Sequence, residues 1–194
     1  MKKMIFTLAA MVFLAGATQA QESRHEVYGG IGVWGTNTII DVFSDIIVTG
    51  FTGGTISTQN DNYIGDFHLG YKYLPSKHIA FGLTFAYASN TSDAYFNQAK
   101  SGRIYNDYYT WGLEFDYRYI SRPKLALYST LGAGITLFSQ EYRPESGDKA
   151  KESNAYFNFQ VTPIGVKFGQ YFGVFAEAGF GYKGILTLGL FGRF

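Results

Sequence analysis

From Tyr109 to Tyr119 the chain alternates without a fault. Tyr109, Trp111, Leu113, Phe115, Tyr117 and Tyr119 hold the odd positions, and Thr110, Gly112, Glu114, Asp116 and Arg118 the even ones. Period two means a strand with two unlike faces. A half-buried strand of a soluble sandwich would also alternate, but its outer face would carry charge and small polar groups. Here one face is a continuous row of rings and aliphatics, and the other is polar and charged.

The same pattern recurs in Tyr63 to Tyr73, with Phe67, Leu69, Tyr71 and Tyr73 set against Asp66, His68, Gly70 and Lys72. It returns in Ile79 to Tyr87 and Leu125 to Leu137. Phe157 to Phe168 changes phase at Pro163, where a bulge is expected. In Val174 to Tyr182, the residues Val174, Ala176, Ala178, Phe180 and Tyr182 form the apolar row; in the last segment Leu186, Leu188, Leu190 and Phe194 do. Glu26 to Gly35 reads as a first strand so rich in glycine that neither face can be assigned outward. These segments predict eight antiparallel strands. The connections Thr36 to Asn62, Ser89 to Asp107 and Glu141 to Ser153 are long, and Leu74 to His78, Ser121 to Lys124 and Gly169 to Tyr171 are short. An even strand count with short turns on one side and longer loops on the other describes a closed transmembrane β-barrel. Ten steps of about 3.3 Å, tilted about 45°, rise roughly 23 Å, close to the apolar band of about 25 Å on such barrels.

Composition sharpens this expectation. The chain has 18 Phe, 16 Tyr and 24 Gly at a mean hydropathy of only −0.04. Tyrosines in such number suit rings placed at lipid headgroup level, and Tyr71, Tyr73, Tyr109, Trp111, Tyr117 and Tyr119 are the expected girdle residues. Lys2 and Lys3 followed by an apolar run from Met4 to Leu14 and then small residues have the layout of a cleaved signal peptide. Cleavage is placed after Ala20, with Ala17 as the other site that fits. The domain division is therefore a signal peptide over 1–20 and a β-barrel domain over 21–194. Losing Lys2 and Lys3 leaves 14 basic against 15 acidic residues, so no polycationic surface is available for nucleic acid. The absence of cysteine removes disulfides, thiolate metal sites and a lipidated amino terminus.

Three stretches, together with the terminal Phe194, carry a family resemblance: Asp66-Phe67-His68-Leu69-Gly70-Tyr71-Lys72-Tyr73, Thr162-Pro163-Ile164-Gly165-Val166 and Gly179-Phe180-Gly181-Tyr182-Lys183-Gly184. In these the chain resembles the small outer-membrane barrels, namely the OmpA transmembrane domain, OmpX-like proteins and the "outer membrane protein beta-barrel" proteins of Bacteroidetes-type bacteria. The resemblance spans the chain after the signal. It implies eight strands, a polar packed interior, a location in the bacterial outer membrane, and surface roles such as adhesion or envelope integrity. It also implies that a final strand of Leu186, Leu188, Leu190 and Phe194 is read by the barrel-insertion machinery.

The residues that could carry chemistry have plainer readings. Gly30, Gly32 and Gly35 match G-x-G-x-x-G, but no βαβ pattern follows, so glycines that let a narrow barrel curve account for them better than a dinucleotide site. Asp66, Lys72, Glu114, Asp116, Arg118, Lys167, Glu177, Lys183 and Arg193 are expected to point inward as neutralising ion pairs, with no ring of a single sign to select ions. His25, His68 and His78 are scattered and lack a nucleophile motif or zinc spacing. Thr38 to Val48 has the spacing of a short amphipathic helix in the first long loop; it reads equally as a cap, a segment on the outer leaflet or a loop packed on the rim. The expectation is a non-enzymatic surface barrel that needs no cofactor, is partnered by outer-membrane lipid, and whose long loops face an unidentified extracellular partner. Its rivals are a barrel enzyme acting on lipid and a soluble lipocalin-like binder.

Overall fold

A computed structural model describes residues 23–36, 56–96, 99–144 and 150–194; within these, the side chains of 56–64, 94–96, 99–101 and 150 are not described. The expected signal peptide and the whole of the expected Thr38 to Val48 helix lie outside the described residues. Eight strands form one closed antiparallel barrel: β1 (His25–Val33), β2 (Ile56–Tyr73), β3 (Ile79–Phe96), β4 (Ala99–Arg122), β5 (Leu125–Pro144), β6 (Ala150–Gly169), β7 (Phe172–Gly181) and β8 (Leu186–Arg193). Each strand pairs with its neighbours in sequence, and β1 closes on β8 from Glu26↔Arg193 to Val33↔Leu186. His25 and Phe194 exchange both backbone hydrogen bonds at 3.0 and 2.9 Å, so the seam is paired to its last residue.

The alternation sorts the side chains as expected. Even positions point inward on β1 to β5, as with Glu26, Lys72, Thr84, Glu114 and Thr130, all buried. Odd positions point outward, and Leu113 and Phe157 are 66% and 70% exposed. On β6 the inward parity passes from Thr162 to Gly165 and Lys167, and the pairing with β7 shifts register between Val161 and Ile164. The extra residue expected at Pro163 is therefore present. Proline lacks an N–H for the ladder, which makes a bulge the place that tolerates it.

Two expectations about the elements need correction. Much of two long connections, Ser89 to Asp107 and Glu141 to Ser153, is strand: β3 runs to Phe96, β4 starts at Ala99, and β5 and β6 reach Pro144 and Ala150. Ser89-Asn90-Thr91-Ser92-Asp93 and its partners Asn106 and Asp107 are polar on both faces, so the hydrophobic period ends there. Backbone pairing does not need that period and continues. The difference in length thus lies in the strands, with β2 to β6 at 18 to 24 residues and β1, β7 and β8 at 8 to 10. The second correction is Tyr182, expected in the outward row but fully buried. Gly181 has φ +146, which breaks the alternation at the end of β7 and turns Tyr182 into the lumen.

Inside, large residues occupy room left by glycine. The Tyr128 ring lies on Gly165, where a Cβ would sit 2.5 Å from Cζ, and the Tyr182 hydroxyl lies between Gly112 and Gly132. Tyr28 lies on Gly70 and Phe175 on Gly189 in the same way. The glycines of Gly30-Ile31-Gly32 serve close approach too, since a Cβ at Gly30 would be 2.5 Å from the Leu188 carbonyl oxygen. They lie within β1 itself, and not in a strand-to-helix turn that could cradle a pyrophosphate.

The chain has no native cysteine, so single cysteines report facing directly. Cysteines at Leu113 and Leu131 are expected to react with a maleimide confined to surrounding lipid, while cysteines at Thr110 and Thr130 stay protected. Equal labelling of both pairs would contradict the inward and outward assignment.

Candidate functional site

The lumen is the one place where chemistry-bearing side chains converge in number among the described residues, and its organising group is one that sequence reasoning passed over. Glu26 is fully buried on β1. Its carboxylate meets Arg118 Nη2 of β4 at 3.2 Å, Arg193 Nε of β8 at 2.7 Å and the Lys167 ammonium of β6. One anion therefore holds three cations from three other strands.

A second centre lies beside it. Glu114 receives Lys72 at 3.0 Å, Lys183 at 3.2 Å and the hydroxyls of Tyr28 and Tyr182 at 2.9 and 3.0 Å. Lys72 also reaches Asp116 at 2.7 Å, and Asp116 accepts from Thr130 at the same distance and lies 3.9 Å from Arg118. Lys183 continues to Glu177 at 2.8 Å, and Glu177 accepts the Tyr128 hydroxyl at 2.7 Å. Thr84 of β3 completes the circuit at 2.5 Å from the Tyr28 hydroxyl. Every strand of the barrel thus contributes to one connected polar network. Lys167 lies 4.7 Å over the Tyr128 ring and Lys72 4.8 Å over Tyr28, so the rings that fill the lumen also face its cations.

Eight of the nine inward charges read from the sequence lie in this network: Lys72, Glu114, Asp116, Arg118, Lys167, Glu177, Lys183 and Arg193. Asp66 is buried too, but six positions along β2 from Lys72 and against Gly35. Sequence reasoning missed Glu26, Tyr28, Tyr128 and Tyr182. The signal for Glu26 was only its pairing with Lys72 and Arg193, which no local pattern reveals.

The arrangement holds charges against one another. His68 is buried, neither ring nitrogen has a hydrogen-bond partner among the described residues, and its neighbours are the rings of Tyr28 and Phe175, each 6.1 Å away. No group of three His, Asp or Glu among the described residues is placed to hold a metal ion. The girdle residues Tyr71, Tyr73, Tyr117 and Tyr119 are outward near the short turns, and Tyr109 and Trp111 lie farther along β4. Leu186, Leu188, Leu190 and Phe194 are outward on the final strand and its end.

Removing one member of a buried ion pair typically costs about 3–5 kcal/mol, because the partner keeps its desolvation penalty. Glu26→Gln leaves three cations facing one another, whereas Arg118→Ala leaves Glu26 two cations. Both variants, like Glu114→Ala, are expected to lower the urea midpoint in detergent, with Glu26→Gln falling furthest. Unchanged midpoints for all three would mean a hydrated lumen whose charges are not coupled.

Comparison with known proteins returns structures and no family. No family model matches the chain, and no curated protein does. Among solved structures it is similar to the N-terminal β-barrel domain of Pseudomonas aeruginosa OprF, at 13% identity and a TM-score of 0.45 over 90% of this chain and 100% of that one. It is also similar to Ail, the attachment invasion locus protein of Yersinia pestis. In complex with the heparin analogue sucrose octasulfate, Ail matches at 13% identity and a TM-score of 0.46, over 89% of this chain and 99% of that one. A second Ail structure matches at 16% identity and a TM-score of 0.43 over the same shares. The closed eight-stranded antiparallel architecture stands on this chain's own strand pairing.

Proposed function

We propose that this chain is an integral, non-enzymatic barrel of the bacterial outer membrane that acts through the parts of β2 to β6 standing beyond its apolar belt. The observation that carries this reading is the inversion of polarity. The outward row of Phe67, Leu69, Leu83, Trp111, Leu113, Leu131, Ile135, Phe157, Leu188 and Leu190 is exposed, while Lys72, Asp116, Arg118 and Lys183 are buried. A soluble protein does not normally expose an apolar surface beyond a few hundred Å². A lipocalin-like binder would also need an apolar cavity, and this lumen holds ions and tyrosines. Closure fits the same setting, since an unpaired strand edge cannot persist in hydrocarbon.

Beyond the belt the character changes. Arg103 meets Asp93 at 3.2 Å, and Arg143 meets Glu141 at 2.6 Å while lying 4.5 Å over the Tyr105 ring. The hydrogen bond that Arg143 Nε donates to the Glu141 carboxylate raises the Arg143 pKa above its ordinary value. Paired surface charge and rings suit recognition of an extracellular partner, or a role in envelope integrity. A Ser-His enzyme acting on lipid would need a nucleophile hydrogen-bonded to His68, and neither ring nitrogen of His68 has a hydrogen-bond partner among the described residues. Residues 1–20 serve as the export signal in this reading, and lipid surrounds the belt.

Fractionation followed by protease treatment of intact cells tests the location. The chain is expected in the outer-membrane fraction, with cleavage confined to the ends of β2 to β6 remote from the short turns. Recovery in the soluble periplasm, or cleavage only at the short turns, would contradict it.

Recognition of the last strand by the insertion machinery is tested separately. Deleting Phe194, or making Leu190→Asp, is expected to reduce the membrane-inserted fraction and leave signal cleavage intact. Insertion of both variants at the level of the unaltered chain would overturn that role.

A further inference from the structure

The outer wall differs from one side of the barrel to the other. On β2 and β4 the outward positions carry the exposed rings Tyr71, Tyr73, Tyr109, Trp111, Tyr117 and Tyr119. Among the described residues, the outward rows of β6, β7, β8 and β1 hold neither Tyr nor Trp. Tyr171 and Trp34, both exposed, lie just outside these strands, in the β6–β7 turn and after β1. We propose that the face formed by β6, β7, β8 and β1 is where a second copy of this chain docks, giving a two-fold dimer in the plane of the membrane. The inference rests on the membrane reading above.

Three observations converge on this face. The first is the one-sided girdle. Tyr and Trp are favoured where a wall meets headgroups, so a wall bathed in lipid all round has reason to carry them all round. Strands that lack them suit a protein neighbour. The second is relief. A depression of about 450 Å³ lies on this face and no polar side chain lines it. Ala176 and Gly189 are its half-buried small residues, and Ile31, Phe168, Leu188 and Leu190 are exposed around them. Between helices in lipid, where no water is expelled, association depends on close packing and small residues at the contact permit it; the same requirement applies to two barrel walls. The third is clearance. At the middle of the face β1, β7 and β8 have 9, 10 and 8 residues, whereas β2 to β6 have 18 to 24. Two copies can therefore approach on the side where the described strands are short.

Symmetry is what favours a second copy over another protein. Copies inserted the same way are related by a two-fold axis along the barrel axis, which preserves depth. With that axis between β7 and β8, β7 of each copy faces β8 of its partner, and β6 faces the partner's β1. The leucines of β8 then meet the alanine of β7 twice, and Val166 and Ile31 face across in the same way. The face is thus complementary to itself, ridge against depression. Four strands about 4.8 Å apart and a belt about 25 Å tall offer roughly 500 Å² on each copy, near the lower end of specific interfaces when both copies are counted. Such a dimer is expected to dissociate when diluted with lipid.

The test uses the refolded chain in phospholipid vesicles, with a single cysteine replacing either Leu188 or Leu113 and a short bis-maleimide as cross-linker. Insertion is measured separately by protease protection of the same vesicles. The cysteine at 188 is expected to give a dimer band that fades on dilution with lipid, and the cysteine at 113 only the background of collisions. Ala176→Trp, which fills the depression, is expected to lower the cross-linked fraction about tenfold with insertion unchanged. Ala176→Leu is carried alongside as a milder filling, and Ala133→Trp on the outward row of β5 should leave cross-linking as it was. Insertion with no cross-link at 188 above that at 113 overturns the dimer, leaves lipid as the cover of this face and keeps the membrane reading. Cross-linking at 188 that survives both Ala176 variants overturns the proposed contact. Failure of the parent chain to insert removes the membrane reading, and the dimer falls with it.

Discussion

A carboxylate without water is costly, and Glu26 is tolerated in the lumen of this barrel because three cations from three other strands meet it. The attraction is strong for the reason that the burial is costly, namely the low dielectric around it. Arg193 binds Glu26 across the seam where β8 closes on β1, while Arg118 and Lys167 reach it from β4 and β6. Closure and cross-lumen bracing therefore share one group. The second centre at Glu114 repeats the arrangement with Lys72, Lys183 and two tyrosine hydroxyls.

The rest of the architecture follows from having the polar side inside. Small barrels leave little interior space, and this one fills it with Tyr28, Tyr128 and Tyr182 laid over Gly70, Gly165, Gly112 and Gly132. Each ring supplies bulk to exclude water, a hydroxyl to satisfy a carboxylate, and in two cases a face for a lysine. With the interior committed to ions, the apolar residues have only the outer wall to occupy. In the proposed membrane setting they would gain from lipid what a soluble protein obtains from a core. The barrel is thus stable as an inside-out object only where its surroundings are apolar, which ties the interior network to the proposed location.

How much of this was legible in the sequence depended on side chains being present to read. Tyr109 to Tyr119 displays both faces in eleven residues, and its inward Glu114, Asp116 and Arg118 were placed from parity alone. β1 carries Gly29, Gly30 and Gly32, so most of its faces have no side chain to show, and Glu26 went unassigned. Tyr182 was misplaced because Gly181 interrupts the alternation through its backbone angle and gives no sign of it in composition. The extensions of β3 to β6 read as loops because no regular hydrophobic period runs through stretches such as Ser89 to Asp93, while pairing depends on the backbone.

The claim that the polar interior holds the sheet together is tested most directly by a double-mutant cycle on Lys72 and Asp116, which meet at 2.7 Å. Lys72→Met, Asp116→Leu and the double variant would be unfolded reversibly in the same lipid vesicles. The account predicts that the double variant is less destabilised than the sum of the single ones, by a coupling of about 1–3 kcal/mol, because each single variant strands a buried charge and the double one does not. Additivity within about 0.5 kcal/mol would contradict it, and would mean that the lumen charges are solvated separately and do not brace the barrel.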